Sequence, residues 1–433
     1  MPLAALVGAL IGGTLLEAIG RKTTIVCTAV PLIVAGLLVA FAQDVYTIYA
    51  GRGITGFCIG ILSFSAPVYL AETIHPKIRG TLGLLPTSLG NVGIMICYIL
   101  GFWLDWSQLS LAGAIMPLPF LILMCLVPES PRYLLAKEKE AKARSALQWL
   151  RGQNIDISHE LTDMEKAIVL AKNQGFKAKE WFQRAYVKPL VVSLGLMFAQ
   201  QFSGYNAVLF YSVSIFKDAG SSIDANLSTI ILGVVNIIAT LFSNFFIDRL
   251  GRKILLYISS IGMIISLAIF GAFFYLKVSC IWPFQFCQKQ IDTSFQDIEH
   301  EVPGWIPLVA LMVYLASFSI GFGPVPWLMM AEIFPSRIRG PAASLVTTFN
   351  WTCVFVVTNT FMNLQKAITP YGVFWLFALI LLAFIFFIIF YVPETQGLSL
   401  EKIERSFTGI TGMTQAITHV NESFQPEPSQ IKV

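Results

Sequence analysis

The sequence predicts an all-helical membrane protein made of a duplicated bundle of helices, and three observations carry this prediction. Of its 433 residues, 56% are hydrophobic and only 12% are charged, which is about half of the roughly 25% found in soluble globular chains. Eleven apolar stretches are each long enough to cross a bilayer, and three short motifs occur twice in the same order. The net charge of +4 gives no reason to expect nucleic acid as a partner.

Each candidate span is an apolar stretch of about 20 residues, the length of helix that crosses a hydrocarbon core about 30 Å thick. The eleven stretches cover residues 2–18, 24–42, 48–70, 81–103, 109–127, 189–215, 226–247, 254–276, 305–330, 341–363 and 371–391. Several contain Gly or Pro, which membrane helices tolerate where neighbouring helices bond the freed backbone groups.

The distribution of Lys and Arg predicts the orientation, because basic residues accumulate in cytoplasmic loops. Of the 29 Lys and Arg residues, 24 fall in the loops and the tail on one side of the predicted spans. This side includes the long loop 128–188 and the tail 393–433. We therefore expect the C-terminus to be cytoplasmic, and with eleven spans the N-terminus then lies outside.

The repeated motifs indicate how the spans are grouped. EAIGRK at 17–22 recurs as DRLGRK at 248–253, AETIHPKIRG at 71–80 as AEIFPSRIRG at 331–340, and VPESPR at 127–132 as VPETQG at 392–397. The GRK motif follows two spans in the second half but only one in the first. The simplest interpretation is two six-helix pseudo-repeats with the first helix missing.

This interpretation divides the chain into four parts. We expect an N-terminal helical bundle at 1–127, a cytoplasmic linker at 128–188, a C-terminal six-helix bundle at 189–392 and a cytoplasmic tail at 393–433. The linker has two amphipathic stripes that predict short helices. One stripe contains Leu135, Ala143, Ala146, Leu147 and Leu150, and the other contains Leu161, Met164, Ile168 and Ala171. We also expect an eleven-span form to be misassembled or inactive, with one face of the first bundle unfilled.

The ordered motifs resemble those of the sugar porter family of the major facilitator superfamily. PESPR precedes the long linker, QQFSGYN and GPVPW lie in two later spans, and PETQG ends the last span. The resemblance extends to about residue 405, and segments such as GFGPVPWLMMAEIFPSRIRGPAAS are most similar to the insect facilitated trehalose transporters. It implies a major facilitator fold and facilitative transport of a neutral sugar, trehalose or a similar one, across the plasma membrane by alternating access, with no enzymatic activity and no cofactor.

Two other functions stay open at this point. A proton-coupled sugar symporter needs a carboxylate to carry the proton. Except for Glu17 at the end of 2–18, the predicted spans contain none, although the absent first span could supply one. A non-transporting sugar sensor is the second alternative, and the tail of about 40 residues after Pro393 is short for this class. The expected partners are a small-molecule sugar and the lipid bilayer, and the sequence shows no obligate protein partner.

Side-chain amides in the spans predict a sugar site. An amide has both donors and an acceptor, which match a vicinal diol, and an aromatic ring such as that of Trp327 can lie against the apolar face of a sugar. The alternative is that these amides only join helices, each contributing about 0.6 kcal/mol. The resemblance implies that sugar contacts Gln200, Gln201, Asn206, Asn236, Trp327 and Asn350, and that Phe318 and Tyr211 occupy pocket or gate positions.

Charged residues in the repeated loops predict a gate at the cytoplasmic side. In each half a Glu precedes an Arg by seven residues, at Glu72 and Arg79 and again at Glu332 and Arg339. The neighbouring charged residues of the gate are Glu17, Arg21, Asp248, Arg249 and Arg252. We expect their ion pairs to hold the two halves together when the cavity faces outward; otherwise these residues serve only as topology signals.

Pro324 and Pro326 predict a bend or a break in the ninth span, because each proline removes a backbone donor. This break is a hinge beside Trp327 or, alternatively, a static kink. The 7 Cys and 4 His residues show no spacing typical of a metal site. Cys280 and Cys287 lie in a predicted outer loop, where the sequence leaves a disulfide between them undecided.

Overall fold

The computed structural model describes residues 1–75, 82–83, 85–173, 184–219, 223–287, 304–334 and 338–396. Within these ranges all regular structure is helical. The helices are α1 (Pro2–Ile19), α2 (Arg21–Ala40), α3 (Val45–Thr73), α4 (Leu85–Trp103), α5 (Trp106–Ile115), α6 (Pro117–Leu126), α7 (Pro131–Ala136), α8 (Glu140–Arg151), α9 (Ser158–Asn173), α10 (Arg184–Phe202), α11 (Tyr205–Ala219), α12 (Ala225–Leu250), α13 (Arg252–Cys287), α14 (Ile306–Ile320), α15 (Val325–Ile333) and α16 (Arg339–Tyr391).

In the described part of the chain, nine helical segments are long and apolar enough to cross a membrane. The longest of these belongs to α16, whose 53 residues include non-helical backbone at Ile368 and Thr369. A bilayer-spanning helix needs only about 20 residues, so α16 contains two spans that meet at this point. The predicted total of eleven spans and the predicted domain limits stay predictions.

The helix surfaces fit a hydrocarbon solvent. On α13, five isoleucines at helical spacing form one stripe, and each is about half exposed. They are Ile254, Ile258, Ile261, Ile265 and Ile269. A continuous apolar stripe of this size is unfavourable in water, whereas lipid chains solvate it without cost.

The two halves contact each other chiefly along three pairs of helices. α1 and α3 of the N-terminal half pack against α16, and α4 packs against α12. Near the end of α1 the contact is apolar: Leu16 and Phe64 pack with Ala343 and Met330. We call these four residues the interface cluster. Because α1 ends where α16 begins, the repeated GRK and PES or PET loops of both halves lie at one end of the molecule, which we call the basic end.

The linker forms a small helical cluster at the basic end. Leu135, Ala143, Ala146 and Leu147 of the first predicted stripe are buried, and Leu161 of the second stripe packs against them. Arg151 pairs with Glu160 through Nε at 3.0 Å and Nη2 at 2.8 Å. It also donates to the carbonyl of Thr73 at 2.9 Å, which attaches the linker helices to the end of α3.

Candidate sugar site and the basic end

Two interrupted helices of the C-terminal half lie next to each other. The first interruption separates α10 from α11 at Ser203 and Gly204, where Gly204 has φ +89°. The second separates α14 from α15 at 321–324, a segment that ends with Pro324. The predicted break in the ninth span is therefore present.

Side chains satisfy the backbone carbonyls that these interruptions leave without helical donors. Pro324 and Pro326 cannot donate to the carbonyls of Ile320 and Phe322, four residues earlier. Ser243 Oγ donates to Ile320 O at 2.9 Å instead. Gln200 Nε2 donates to Phe322 O at 2.7 Å and to Gly323 O at 3.1 Å.

The other interruption is stabilised in the same way. Tyr314, which is 0% exposed, donates its hydroxyl proton to Ser203 O at 2.9 Å. An unsatisfied buried carbonyl costs about 1–3 kcal/mol, so these contacts hold both breaks in a defined geometry.

Three of the predicted sugar contacts form one hydrogen-bonded set, which we call the first amide group. Gln201 Nε2 donates to Asn350 Oδ1 at 2.7 Å, and Asn206 Nδ2 donates to Gln201 Oε1. Gln201 and Asn350 are buried and Asn206 is half-buried. In the described part of the chain, no hydrogen bond involves Asn206 Oδ1 or Asn350 Nδ2, which leaves an acceptor and a donor for a ligand.

A second set of polar side chains surrounds Asn236, and we call it the second amide group. Asn236 Nδ2 donates to Asn91 Oδ1 at 3.2 Å, and Asn91 Nδ2 donates to Thr240 Oγ1 at 2.8 Å. Ser319 Oγ donates to Asn236 Oδ1. Since Asn91 belongs to α4 and Asn236 to α12, this group also connects the two halves.

The predicted aromatic residues are placed differently from one another. Phe318 is 5% exposed and stacks on Tyr205 with 3.6 Å between ring centroids. Trp327 is half-buried and packs beside a core that includes Met197. Tyr211 donates to the carbonyl of Thr358 at 3.2 Å.

The N-terminal half carries a compact ion pair at the basic end. Arg21 pairs with both oxygens of Glu72, through Nε at 2.9 Å and Nη2 at 3.0 Å. Glu129 Oε1 accepts from the backbone N–H groups of Arg21 at 3.0 Å and Lys22 at 2.9 Å. A carboxylate at these N–H groups caps the first turn of α2, where the helix dipole also favours negative charge.

The C-terminal half repeats this arrangement. Arg252 Nη2 pairs with Glu332 at 2.9 Å, and Glu394 accepts from the backbone N–H groups of Arg252 at 3.0 Å and Lys253 at 2.9 Å. Thr395 donates to Glu332 at 2.7 Å, as Ser130 does to Glu72. The sequence repeat is therefore a repeat of hydrogen bonds.

The ion pairs Arg21–Glu72 and Arg252–Glu332 each join helices of the same half. Arg249 lies over the ring of Phe245 at 4.4 Å, and Glu17 is exposed. Arg79 lies outside the described residues, as do the side chains of Asp248, Arg339 and the Cys280 and Cys287 pair. The described contacts between the halves near the basic end include the interface cluster and two hydrogen bonds, from Ser344 Oγ to Ala9 O at 3.1 Å and from Asn244 Nδ2 to Ser88 Oγ at 2.7 Å.

Comparisons with known proteins show which family the chain belongs to. The family described as "Sugar (and other) transporter" matches residues 1–407. The chain belongs to the sugar transporter family. It is a membrane-spanning transporter of a small-molecule sugar and not an enzyme, as the motifs predicted. In the described part of the chain, no group of three His, Cys, Asp or Glu side chains could hold a metal ion.

Individual relatives give more detail. This sugar transporter is 54% identical over 411 residues to the facilitated trehalose transporter Tret1-2 homolog of Drosophila sechellia, which covers 94% of this chain and 81% of the relative. It is 51% identical over 411 residues to the facilitated trehalose transporter Tret1 of Polypedilum vanderplanki, covering 94% and 78%. Among solved structures, the proton:xylose symporter XylE bound to 6-bromo-6-deoxy-D-glucose matches with 25% identity and a TM-score of 0.75, covering 94% and 87%. This match confirms the major facilitator fold.

Several residues of the site escaped the sequence analysis. Asn91, Ser243 and Tyr205 bond to the predicted residues or to the helix breaks beside them. The available signal was weak: Asn91 is an amide in an apolar span, like those that were selected, while the two hydroxyl residues are common in membrane helices.

Proposed function

We propose that this sugar transporter carries trehalose by facilitated diffusion, with alternating exposure of one site to the two sides of the plasma membrane. The observation that carries the proposal is the first amide group, where Asn206 Oδ1 and Asn350 Nδ2 have an acceptor and a donor to offer to adjacent hydroxyls. The names of the relatives that are more than 50% identical support the choice of sugar. Gln200, Gln201, Asn236, Trp327 and Phe318 complete or support this site.

The gate belongs to the same proposal. Arg21 with Glu72 and Arg252 with Glu332 stiffen the rim of each half, so that each half moves as one body. We assign Arg79, Arg249, Arg339, Glu17 and Asp248 to the gate between the halves from the repeated sequence motifs alone. Tyr211, Pro324 and Pro326 allow the interrupted helices to follow this movement. The basic end is the cytoplasmic one, and the C-terminus lies on that side.

A proton-coupled symporter is the competing function, and the match to a proton:xylose symporter favours it. Such a carrier needs a buried group that binds the proton. Among the buried side chains that the structure describes, none is Asp or Glu. Facilitated diffusion therefore accounts better for the site.

Uptake into proteoliposomes tests both functions. Labelled trehalose and glucose are offered at pH 6 and pH 7.5, with and without an imposed pH gradient. Facilitated diffusion predicts saturable uptake that stops at equal concentrations and does not respond to the gradient. Accumulation above the outside concentration, driven by the gradient, would identify a symporter, and absence of saturable uptake would refute transport of these sugars.

A further inference from the structure

Tyr205 lies between the two amide groups. It is the first residue of α11, directly after the interruption at Gly204, and it precedes Asn206 of the first amide group. Its hydroxyl oxygen accepts a hydrogen bond from Asn236 Nδ2 of the second amide group at 3.3 Å. Tyr205 thus bonds to the second amide group and is next to the first along the chain.

The ring of Tyr205 is more accessible than the ring beneath it. Tyr205 and Phe318 stack with centroids 3.6 Å apart and planes 7° apart. Phe318 is 5% exposed, whereas Tyr205 is half-buried. Because one face of each ring is covered by the other, a ligand that enters the site meets Tyr205 rather than Phe318.

The hydroxyl of Tyr205 also has a proton to donate. A phenol is both a donor and an acceptor, and the bond from Asn236 uses only the acceptor. Within the described residues, no hydrogen bond has the Tyr205 hydroxyl as its donor. A sugar hydroxyl beside Asn236 would supply the acceptor.

We propose that Tyr205 is a sugar-contacting, specificity-determining residue that selects for a disaccharide. One sugar ring bonds to the first amide group, a hydroxyl of the second ring accepts the proton of the Tyr205 hydroxyl beside the second amide group, and the C–H face of the sugar lies on the tyrosine ring. A monosaccharide reaches only one group, so it loses less when Tyr205 is changed. This inference rests on the proposed function and names the residue that sets its substrate class.

The test compares Tyr205→Phe and Tyr205→Leu with Tyr314→Phe in proteoliposomes. Tyr314→Phe is the matched control because it also removes one hydroxyl beside the same helix break, but from a residue that is 0% exposed. KM and kcat are measured for trehalose and for glucose, and Tm is measured for each protein in detergent. Tyr205→Phe keeps the ring and its stacking, so it reports on the hydroxyl even if Tyr205→Leu fails to fold.

We expect Tyr205→Phe to raise the KM for trehalose about fivefold, the effect of one neutral hydrogen bond, and to raise the KM for glucose less than twofold. Tyr205→Leu should raise the trehalose KM further, and Tyr314→Phe should lower Tm and leave the ratio of the two KM values unchanged. Unchanged trehalose KM in Tyr205→Phe, or an equal rise for both sugars, would overturn the selective role. A wild-type protein that takes up neither sugar would instead overturn the proposed function itself.

Discussion

Gln200 and Gln201 are adjacent in the chain, and Gln201 Nε2 donates to Gln200 Oε1 at 3.4 Å, but the other partners of the two amides differ. The donor of Gln200 is bonded to two backbone carbonyls of the broken helix, at Phe322 and Gly323. The donor of Gln201 is bonded to the side chain of Asn350, next to the polar atoms that are left for a ligand. Gln200 therefore supports the shape of the site, while Gln201 orients the groups that bind sugar.

Gln200→Leu and Gln201→Leu should separate these two tasks. Gln200→Leu leaves two buried carbonyls without a donor, and we expect a loss of stability of about 1–3 kcal/mol, seen as a lower Tm in detergent. Gln201→Leu leaves Asn350 Oδ1 and Asn206 Nδ2 without a partner, so it should also lower Tm, but unlike Gln200→Leu it should raise the KM for trehalose about tenfold, as should Asn206→Ala. If both glutamine variants melt early and keep the wild-type KM, the amides only join helices.

At this scale the sequence predicted which residue types form the site, but not how they are paired. The bond from Gln200 to Phe322 spans 122 positions and that from Asn236 to Asn91 spans 145. No periodic pattern connects such distant residues. Partners like Asn91 and Ser243 become recognisable only when the fold brings their helices together.

At the scale of elements, Gly204 controls the interruption between α10 and α11. Its φ of +89° is a backbone conformation that residues with a side chain rarely adopt. A Cβ at this position would also lie 2.5 Å from a ring carbon of Phe377. The interruption therefore requires glycine for both backbone and packing reasons.

Gly204→Ala should destabilise the protein by about 1–3 kcal/mol, the usual cost of a strained backbone conformation. Gly113→Ala is the matched control, because Gly113 lies within α5 and a Cβ there has no atom within 4 Å. The control should raise stability slightly, since Ala is the better helix former. Thermal melting of both variants in detergent decides the matter, and equal Tm values would show that the break tolerates a side chain.

The capped helix at Glu394 should make stability depend on pH. Burial by itself raises the pKa of this carboxyl, but the backbone N–H groups of Gln396, Lys253, Arg252 and Thr395 outweigh it and lower the pKa below its ordinary value of 4.5. A carboxyl with a lowered folded-state pKa stabilises the protein fully above the unfolded pKa, and this contribution is lost as the pH falls through the folded value.

We therefore expect Glu394→Gln to lower Tm at pH 7, and the difference from wild type to shrink as the pH falls below about 4.5. Glu140→Gln changes an exposed carboxyl on α8 and serves as the control. Tm values between pH 7 and pH 3 measure the effect. A difference that stays constant over this range would mean that the charge of Glu394 is not what caps α13.

The repeated loops show what can be predicted about elements. Motif repeats and amphipathic stripes lie along the chain, so the duplicated rim and the linker helices followed from the sequence. The ion pairs illustrate the limit: spacing placed Arg21, Glu72, Arg252 and Glu332 at one end, but did not reveal that each pair closes within a single half.

At the scale of the whole molecule, the interface cluster is the apolar part of the contact between the halves at the basic end. Phe64 of α3 is 6% exposed and packs with Leu16 and with Ala343 of α16. Ser344 beside this cluster donates to the carbonyl of Ala9 at 3.1 Å, so it lies on the contact surface. Alternating access requires these contacts to separate when the basic end opens.

Phe64→Ala should shift the protein toward the form that is open at the basic end. Truncation of a buried Phe costs about 3–5 kcal/mol, and the part of this energy that joins the halves is missing only from the closed form. A difference of about 1.4 kcal/mol is enough for a tenfold shift in population. We expect a Cys introduced by Ser344→Cys, in a protein without other accessible cysteines, to react with a maleimide at least ten times faster in Phe64→Ala than in wild type.

Phe270→Ala is the control, because Phe270 is 0% exposed inside the C-terminal core. It should lower Tm without changing the labelling rate. Equal labelling in the two variants would mean that Phe64 stabilises its own half and does not hold the halves together.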